Sequence, residues 1–451
     1  MSTKTGILRR MMLSGVAGLC AVTGLAAGAR ADVASDKAGA IVIFPKIVVD
    51  TSGVLGPPTD TEVQLTNTSN REISARCFIV DATSHCSNAP TVACTVEGVA
   101  AGRTAGAGGC TTGGTCVAGW KENDFQLTLT KRQPIAWRAS GGLPNLPIDP
   151  QSLPDGESNV GSSIPPAQED PFVGEIKCVE TDANFAPSIG VDPINNFTGD
   201  LKGEATIISA TGEEATIPSR VDARKYNAVG LQATSLNNGD DRLQLGPSGP
   251  ANVPLCAGGS NAGNPCGSDG DCPGGGCSEY NGCPSILILD NYFDGAVVAT
   301  HEGARRSTIT TDLTVVPCGE DFAIQQPNSV VLQFLVFNEF EQRFSTSTSV
   351  TCFREVQLSN IDTRATATDN SSSIFNVNVQ GTLTGQTRIR PVASQTAANA
   401  VVGIAEEFWQ CAGGACTAGP NNTTSDAVNL HFTGSRFSGD EIILSPDVTA
   451  P

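Results

Sequence analysis

The sequence predicts an all-β protein of two antiparallel, immunoglobulin-like β-sandwich domains with disulfide-stapled loop insertions. Three observations predict this fold class. Short segments alternate apolar with polar residues, which gives a strand one buried face. Clusters of Gly, Asn, Asp and Pro separate these segments and are typical of turns. Sixteen cysteines occur in 451 residues, and all except Cys20 follow an N-terminal apolar segment.

The N-terminal segment has the features of a cleavable export signal. Basic residues precede an apolar run at residues 11–27, and residues 29–31 read Ala-Arg-Ala. Small residues at these two positions are typical of a signal-peptidase site, so we expect cleavage after Ala31. No second long apolar run follows, so no membrane span is expected after cleavage. We therefore predict that residues 1–31 are a signal peptide and that the protein is periplasmic, surface-located or extracellular.

The charge of the chain argues against nucleic acid as a partner. The chain has 27 basic and 46 acidic residues, and the signal peptide contains four of the basic residues and no acid. Removing those four from 27 leaves 23, and 23 less 46 gives a net charge of −23 for the mature chain. A strongly acidic protein is repelled by phosphate backbones and by anionic membranes. The expected partner is an unknown protein or glycan surface.

Strands are predicted in chain order from the period of the apolar residues. Two-residue alternation indicates half-buried strands at residues 62–66, 73–77, 125–129, 375–379 and 428–432. Continuous apolar runs indicate strands covered on both faces at residues 41–44, 286–289 and 330–337. Residues 397–409 alone have helical spacing, and a strand remains an alternative there.

An internal duplication is predicted from segments that recur in the same order in both halves. Cys77-Phe78 matches Cys352-Phe353, and Asn67 matches Asn338 at the end of an alternating segment. The other matched pairs are residues 43–45 with 315–317, 63–67 with 332–338, 125–138 with 375–390, 173–174 with 402–403, and 286–295 with 428–439. The duplication predicts a first domain at residues 32–303 and a second at 304–451.

Three long insertions account for the greater length of the first domain. Residues 83–123 contain cysteines, residues 140–170 are rich in Pro and Ser, and residues 246–284 are rich in cysteine. Loops of this length are functional, disordered or cross-linked. We expect disulfides to hold the first and the third.

Residues 63–80 resemble the immunoglobulin-like sandwich repeats of bacterial secreted and surface proteins. In both, an Asn ends one strand and the next strand closes on an aromatic residue, here Asn67 and Phe78. The insertion that begins at Cys256 is similar to small Gly-Cys modules of exported bacterial proteins. The resemblance implies a sandwich fold and a structural or binding role, and it implies no activity.

The cysteines are predicted to form disulfides rather than a metal site. The cysteine-rich insertion contains no Cys-x-x-Cys and no nearby histidine, which disfavours zinc. The candidate disulfide cysteines are Cys77, Cys86, Cys94, Cys110, Cys116, Cys178, Cys256, Cys266, Cys272, Cys277, Cys283, Cys318, Cys352, Cys411 and Cys416. Candidate pairs are Cys110 with Cys116, Cys411 with Cys416, and Cys318 with Cys352. Fifteen is an odd number, so one thiol stays free or joins another chain.

The sequence contains none of the short motifs of catalysis that we sought. His85, His301 and His431 are the only histidines, and His301-Glu302 lacks the second histidine of a zinc protease. We therefore predict no catalytic, cofactor-binding or metal-ligating residues. Calcium at residues 269–271 or 237–241 is a weaker alternative to ordinary turn chemistry. Core packing is the default role for Trp120, Trp137 and Trp409, and a sugar-binding platform is the alternative.

We expect a secreted, non-catalytic structural, adhesive or binding protein of the cell exterior. The first alternative is a secreted carbohydrate-active or other hydrolytic enzyme, because two carboxylates that act on a sugar leave no local motif. The second is an extracellular subunit that assembles, for example as a homo-oligomer, through its sheet edges.

Overall fold

Alternating burial shows how the sequence makes its strands. In Thr59–Asn67 every second side chain is buried and the side chains between are half-buried. The segment Ile73–Asp81 also alternates at its start and is predicted to be half-buried there, but all of its side chains are buried. The first kind of strand covers one core, whereas the second is packed on both faces.

The computed structural model describes most of the chain after residue 37. The described residues are 38–94, 110, 114–143, 163–182, 199–211, 220–231, 235–237, 242–245, 255–258, 260–261, 264, 266, 268–278, 283–284, 286–299, 305–325, 327–362, 369–392, 400–414, 423–433 and 441–444. The predicted signal peptide lies outside them, as do His301 and Cys416.

The described residues are almost entirely β. The strands of the first half are β1 (Ile41–Val49), β2 (Thr59–Asn67), β3 (Ile73–Asp81), β4 (Ser84–Cys86), β5 (Ala89–Cys94), β6 (Cys116–Val117), β7 (Lys121–Leu129), β8 (Pro134–Arg138), β9 (Phe172–Thr181), β10 (Leu201–Thr211), β11 (Arg220–Asn227) and β12 (Val229–Leu231). These are followed by β13 (Ser235–Asn237), β14 (Arg242–Gln244), β15 (Leu255–Gly258) and β16 (Gly275–Ser278).

The remaining strands are β17 (Ile286–Tyr292), β18 (Val297–Ala299), β19 (Arg305–Pro317), β20 (Glu320–Asp321), β21 (Ser329–Asn338), β22 (Arg343–Thr351), β23 (Arg354–Gln357), β24 (Thr384–Pro391), β25 (Val401–Gly414), β26 (Thr423–Asn429), β27 (His431–Thr433) and β28 (Glu441–Ile443). The helical segments are α1 (Leu358–Ile361), α2 (Val377–Gln380) and a 3₁₀ turn at Asp269–Asp271. The helices among the described residues are too short to cross a bilayer.

Four larger sheets and a smaller linking sheet organise these strands. Sheet I has the order β12-β1-β9-β3-β7, sheet II β11-β10-β2-β8, sheet III β22-β21-β24-β17-β27, and sheet IV β18-β19-β25-β26 with β23 also on β19. Pairing within all four is antiparallel. Sheet V has the order β13-β14-β28-β20, and its β20–β28 pair is parallel.

Sheet I lies between two hydrophobic cores. Along β1, Val42 and Phe44 belong to the core shared with sheet II, which Val63 of β2 also enters. Ile41 and Ile43 belong to the other core, which is formed mainly by sheets III and IV. Successive side chains of a strand point to opposite faces, so β1 contributes to both cores at once. By its contacts, the chain from Asp32 to Pro451 forms one compact unit.

Two buried asparagines organise turns at the ends of β2 and β21. The first turn leads from sheet II to β3 of sheet I, and the second closes the β21–β22 hairpin. The Asn67 side chain ends β2, donates to the Arg71 carbonyl at 2.6 Å and accepts from the Ser69 N–H at 2.8 Å. The Asn338 side chain ends β21, donates to the Gln380 carbonyl at 3.1 Å and accepts from the Phe340 N–H at 3.0 Å. Asn side chains replace backbone partners in turns, so both turns are fixed by the same chemistry.

The disulfides differ from the candidate pairs of the sequence. The described pairs are Cys77–Cys178, Cys86–Cys110, Cys94–Cys116, Cys256–Cys272 and Cys283–Cys318. Cys266 and Cys411 are also disulfide-bonded. The pairing of Cys110 with Cys116 is therefore wrong, because β4 faces both β5 and β6 and brings Cys86 and Cys94 to these two residues.

The pairing of Cys318 with Cys352 is also wrong. Cys318 is bonded to Cys283, which precedes β17, and Cys352 is a buried free thiol. In the first half, Cys77 and Cys178 lie directly opposite each other on the neighbouring strands β3 and β9. This bridge therefore lies within one sheet, whereas the conserved disulfide of antibody domains joins two sheets.

The strand predicted at residues 375–379 is wrong, because this segment contains the start of helix α2. Strand pairing decides two further segments. The segment with helical spacing at residues 397–409 contains the start of strand β25, which pairs with β19 and β26 along its length. Strands β17 and β18 were assigned to the first predicted domain by their order along the chain. In the structure β17 pairs with β24 and β27, and β18 pairs with β19. Sheet membership depends on the partner strand, which chain order does not specify.

Candidate functional site

A cluster of charged side chains is buried where sheet I faces sheet V. Lys177 of β9 donates to Glu175 of the same strand at 2.8 Å and to Glu320 of β20. The indole N–H of Trp120 donates to the other oxygen of Glu320 at 2.7 Å. Lys177 and Glu175 are fully buried, and Glu320 is nearly so. Buried charges persist in proteins when they are paired and hydrogen-bonded in this way.

The surroundings decide the protonation of this cluster. Burial raises the pKa of Glu175 to about 8, although Lys177 opposes the rise. Burial would lower the pKa of Lys177, but Glu175 and Glu320 raise it above its ordinary value. At neutral pH Lys177 is therefore an ammonium, and Glu175 keeps its proton. The neutral form of Glu175 limits the charge that is buried in an apolar interior.

Cys352 completes this cluster and gives it the atom types of a metal site. Its sulfur and one carboxylate oxygen each of Glu175 and Glu320 lie within 4.8 Å of one another. Burial raises the pKa of the Cys352 thiol well above its ordinary value, and the two carboxylates raise it further. A metal ligand or nucleophile requires the thiolate. Lys177 already supplies the positive charge that a metal ion would bring. We therefore interpret this cluster as a structural contact that holds β9 and β20 together.

A second buried cluster joins sheets I, II and IV. Lys46 of β1 forms ion pairs with Glu355 of β23 at 2.7 Å and with Glu406 of β25. Arg224 of β11 lies 2.8 Å from the other oxygen of Glu406. Arg224 also donates to the hydroxyl of Ser425 on β26 at 3.1 Å. Both clusters thus connect the first half of the chain to the second by buried ion pairs.

The sequence contained a signal for these clusters that composition and motif searches miss. Lys46 and Lys177 interrupt otherwise apolar strand segments, and Glu175 lies two residues from Lys177. Residues two apart share one face of a strand, so an acid and a base were predictable neighbours there. Their partners Glu320 and Glu406 come from distant segments and were not predictable.

The histidines do not assemble a catalytic group among the described residues. His85 lies 3.1 Å from Glu169 and is half-buried, and His431 is exposed. Burial raises the pKa of Asp81 to about 6, and Asp81 is hydrogen-bonded to Thr83 and Glu169. A glycosidase needs its two carboxyl groups about 5 to 9.5 Å apart. Asp81 and Glu169, in hydrogen-bond contact, are too close for that chemistry.

The calcium alternative is tested at one of its two loops. The carboxylate of Asp271 accepts the backbone N–H of Ser268 at 3.0 Å and its hydroxyl at 3.3 Å. Asn261 donates to the Asp271 carbonyl at 2.9 Å. These oxygens fix the turn, which is the ordinary role of Asp in such a loop. Residues 238–241 of the other loop lie outside the described residues.

The three tryptophans lie in separate places. Trp137 is buried in the core of sheets I and II, with its ring edge-on to Phe125 at 6.3 Å. The indole N–H of Trp120 donates a hydrogen bond to Glu320, as described above. Trp409 is half-buried, and its ring packs edge-on against Tyr292 at 5.4 Å. A shared sugar-binding platform of the three is therefore absent, although Tyr292 reaches an open cleft.

This cleft, of about 570 Å³, opens beside the β21–β22 hairpin of sheet III. Its lining residues come from β17, β21, β24, β25 and the hairpin; they are Asp290, Asn291, Tyr292, Phe337, Asn338, Glu339, Glu341, Thr384, Gly385, Gln386, Arg388 and Glu407. Gly385 is required in this wall, because a Cβ there would lie 2.6 Å from the Phe337 carbonyl oxygen and 2.3 Å from the Phe293 ring.

The cleft is acidic and has aromatic walls. Glu339 accepts the hydroxyl of Thr384 at 2.7 Å, and this bond lowers the pKa of Glu339, which stays ionised. Burial raises the pKa of Glu407 on the opposite side. The guanidinium of Arg388 lies over the ring of Phe337 at 5.5 Å. Carboxylates beside aromatic faces suit a cationic or hydroxyl-rich ligand.

Sequence reasoning did not find this cleft, since its residues come from five separate segments. No model of a known protein family matches the chain, and no curated protein is similar to it in sequence.

Proposed function

We propose that this chain is an exported, non-catalytic structural or binding protein of the cell exterior. In this proposal, two immunoglobulin-like sandwiches are locked together as a rigid body. The observation that carries it is the pair of buried ion clusters around Lys46 and Lys177. The charged groups of both clusters are bonded to one another where sheets meet, largely away from solvent.

The disulfides support a location outside the reducing cytosol. Five disulfides join pairs of described cysteines, and Cys266 and Cys411 are disulfide-bonded as well. Two of the five hold the insertion at residues 83–123. Disulfides at this density persist in oxidising compartments. The export signal at residues 1–31 and the acidic charge of the mature chain are consistent with this location.

In this proposal the cleft beside the β21–β22 hairpin is the binding site. Its lining contributes the faces of Tyr292 and Phe337 together with carboxylates, which suits a glycan or a basic segment of a surface protein. The cleft is open and lies on a rigid sheet, so a ligand is bound without rearrangement of the fold.

The test is binding to isolated cell envelopes and to a panel of polysaccharides, with reaction products measured in the same samples. Phe337→Ala is expected to weaken binding about tenfold, the loss of one aromatic contact. Val331→Ala is the matched control, because Val331 is on the same face of β21 and is 50% exposed. Retention without product supports the proposal. Release of sugar products would favour the hydrolytic enzyme, and equal effects of the two variants would exclude the cleft.

A further inference from the structure

Strand β22 is a long open edge. It pairs with β21 on one side, and it ends sheet III on the other among the described residues. Its sequence is Arg-Phe-Ser-Thr-Ser-Thr-Ser-Val-Thr, with no acid, lysine or proline. Proteins usually protect such an edge with charges, proline or a bulge, because its free N–H and C=O groups pair readily with another strand.

The other long edge strands of the four larger sheets carry such protection in the described part of the chain. β7 begins with Lys121 and contains Glu122 and Asp124, and β8 begins with Pro134. β11 and β26 cover each other, through two hydrogen bonds between Asn227 and Asn429 at 3.0 and 2.6 Å. β22 is therefore the exception that needs a physical explanation.

The register with β21 shows which atoms of β22 face outwards. The backbone N–H of Cys352 donates to Asn328, and that of Asn338 donates to Gln342, so the even-numbered residues bond to β21. Successive residues of a strand direct their N–H and C=O groups to opposite sides. The odd-numbered residues Arg343, Ser345, Ser347, Ser349 and Thr351 therefore direct theirs away from the sheet. The Ser349 carbonyl already accepts from Arg354 at 3.2 Å.

We propose that two copies of this chain associate by antiparallel pairing of their β22 strands about a two-fold axis at Ser347. In this register all nine residues of the strand are paired. Ser345 lies opposite Ser349 of the other copy, and Phe344 lies opposite Val350. The pairing places apolar beside apolar and hydroxyl beside hydroxyl, and it places no like charges opposite each other.

Charge at the two ends of the strand specifies a second copy as the partner. The β21–β22 hairpin contains Glu339 and Glu341 with Phe340 between them, which is 66% exposed. Beyond the other end of β22 lie the half-buried Phe353 and Arg354. Antiparallel pairing brings the acidic hairpin of each copy beside the Phe353–Arg354 end of the other. The acids, the arginine and the aromatic rings are complementary in both directions.

This association goes beyond the proposed binding role. It shares the hairpin acids Glu339 and Glu341 with the cleft, whereas its strand pairing is made by β22, which does not line the cleft. Because it joins identical patches, it closes as a dimer instead of growing into a filament. It also continues sheet III of one copy into that of the other.

The first test is sedimentation velocity of the exported full chain over a range of concentrations. We expect the mass to rise from monomer to dimer. Ser347→Pro removes an outward N–H without disturbing the bonds to β21 and is tolerated at an edge. It is expected to raise the dimer Kd at least about tenfold. Ser347→Ala keeps the N–H and is the matched control, with the wild-type Kd.

Charged pairs test the register. The double variant Ser345→Lys with Ser349→Lys places lysines opposite each other across the axis and should weaken the dimer about tenfold. Ser345→Lys with Ser349→Glu should restore it or strengthen it. Within one copy these exposed side chains are four residues apart on a strand and do not meet, so both variants are expected to keep the wild-type unfolding temperature, also where the proline variant fails to fold.

A chain that stays monomeric at all concentrations would overturn the inference, as would a dimer that is indifferent to the charge pattern at Ser345 and Ser349. Neither result would affect export, disulfide formation or envelope binding, which test the proposed function separately.

Discussion

Cys77-Phe78 and Cys352-Phe353 occupy matching places in the two halves of the sequence and differ in their environments. Cys77 lies within β3, opposite Cys178, and is bonded to it. Cys352 follows β22 with a φ of 62°, a left-handed conformation, and is free. Phe78 stacks on Phe322 at 4.0 Å between rings, whereas Phe353 is half-buried. The turns at Asn67 and Asn338 nearby are alike, because the asparagine side chain fixes each by hydrogen bonds to the backbone.

The difference shows that a recurring sequence segment reproduces only those structural features that depend on neighbouring residues of the chain. An asparagine at the end of a strand fixes its own turn and needs only neighbours along the chain. A disulfide needs a second cysteine on the partner strand, and β23, which follows Cys352, pairs with β19, which offers none in that register. Cys352 instead meets Glu175 and Glu320.

The largest effect should come from removing the bridge that only the first half has. Replacing Cys77 and Cys178 with Ala is expected to lower the free energy of unfolding by about 4 kcal/mol, because the bridge closes a loop with a sequence separation of 101. Cys352→Ala should cost about 1 kcal/mol, the effect of a small cavity. Urea denaturation of the exported protein measures both. Equal losses would remove the distinction between the two cysteines.

The charge cluster beside Cys352 should be nearly as important as that bridge. Lys177→Met leaves Glu175 and Glu320 without their positive partner and is expected to destabilise the fold by about 3 kcal/mol. Adding Glu320→Gln should recover part of this loss, since no unpaired carboxylate then remains. Thermal unfolding measures the series. A single variant as stable as the wild type would contradict the structural role.

The two asparagine turns should lose similar amounts of stability. Asn67→Ala and Asn338→Ala each leave buried backbone groups without a partner, and each is expected to cost about 2 kcal/mol. Urea denaturation of both single variants makes the comparison direct. A loss in one half only would show that the turns are alike in sequence but not in energetics.

A dependence of stability on pH is expected as well. The folded chain keeps the proton of Glu175 up to about pH 8, whereas an unperturbed glutamate loses it near 4.5. Between these values the folded state binds more protons than the unfolded state, so stability falls as pH rises, by at most about 1.4 kcal/mol for each pH unit. Glu175→Gln should flatten this slope in thermal unfolding. Burial also raises the pKa of Glu180 to about 7, and its contribution should remain in the variant. An unchanged slope would place the titration elsewhere.

The strand content was largely predictable from the sequence. The alternating segment at residues 62–66 lies within β2, and the apolar run at 41–44 lies within β1, which is buried on both faces. Periodicity did not predict burial everywhere. The alternating segment at 375–379 contains the start of helix α2, and the apolar runs at 286–289 and 330–337 lie in strands that are buried on one face only. The segment at 397–409 was ambiguous because small and apolar residues fit both periods, and pairing with β19 makes it a strand.

Sheet membership and the site were not predictable in the same way. The return of β28 to pair with β14 joins residues about 200 positions apart, and no local pattern specifies it. The cleft draws Tyr292, Phe337 and Glu407 from three sheet strands, and no local pattern in these strands predicts a binding site. Charged residues inside apolar strands, such as Lys177, were the one local sign of unusual surroundings.

The Cys77–Cys178 bridge also limits how far the protein can be stretched. When a surface protein is pulled from its ends, an unfolded segment lengthens by roughly 3.4 Å per residue. The bridge excludes a segment with a sequence separation of 101, which also contains Cys86–Cys110 and Cys94–Cys116, from that extension. The bridge thereby prevents roughly 340 Å of extension. The disulfide bond carries the force instead of the hydrogen bonds between β3 and β9.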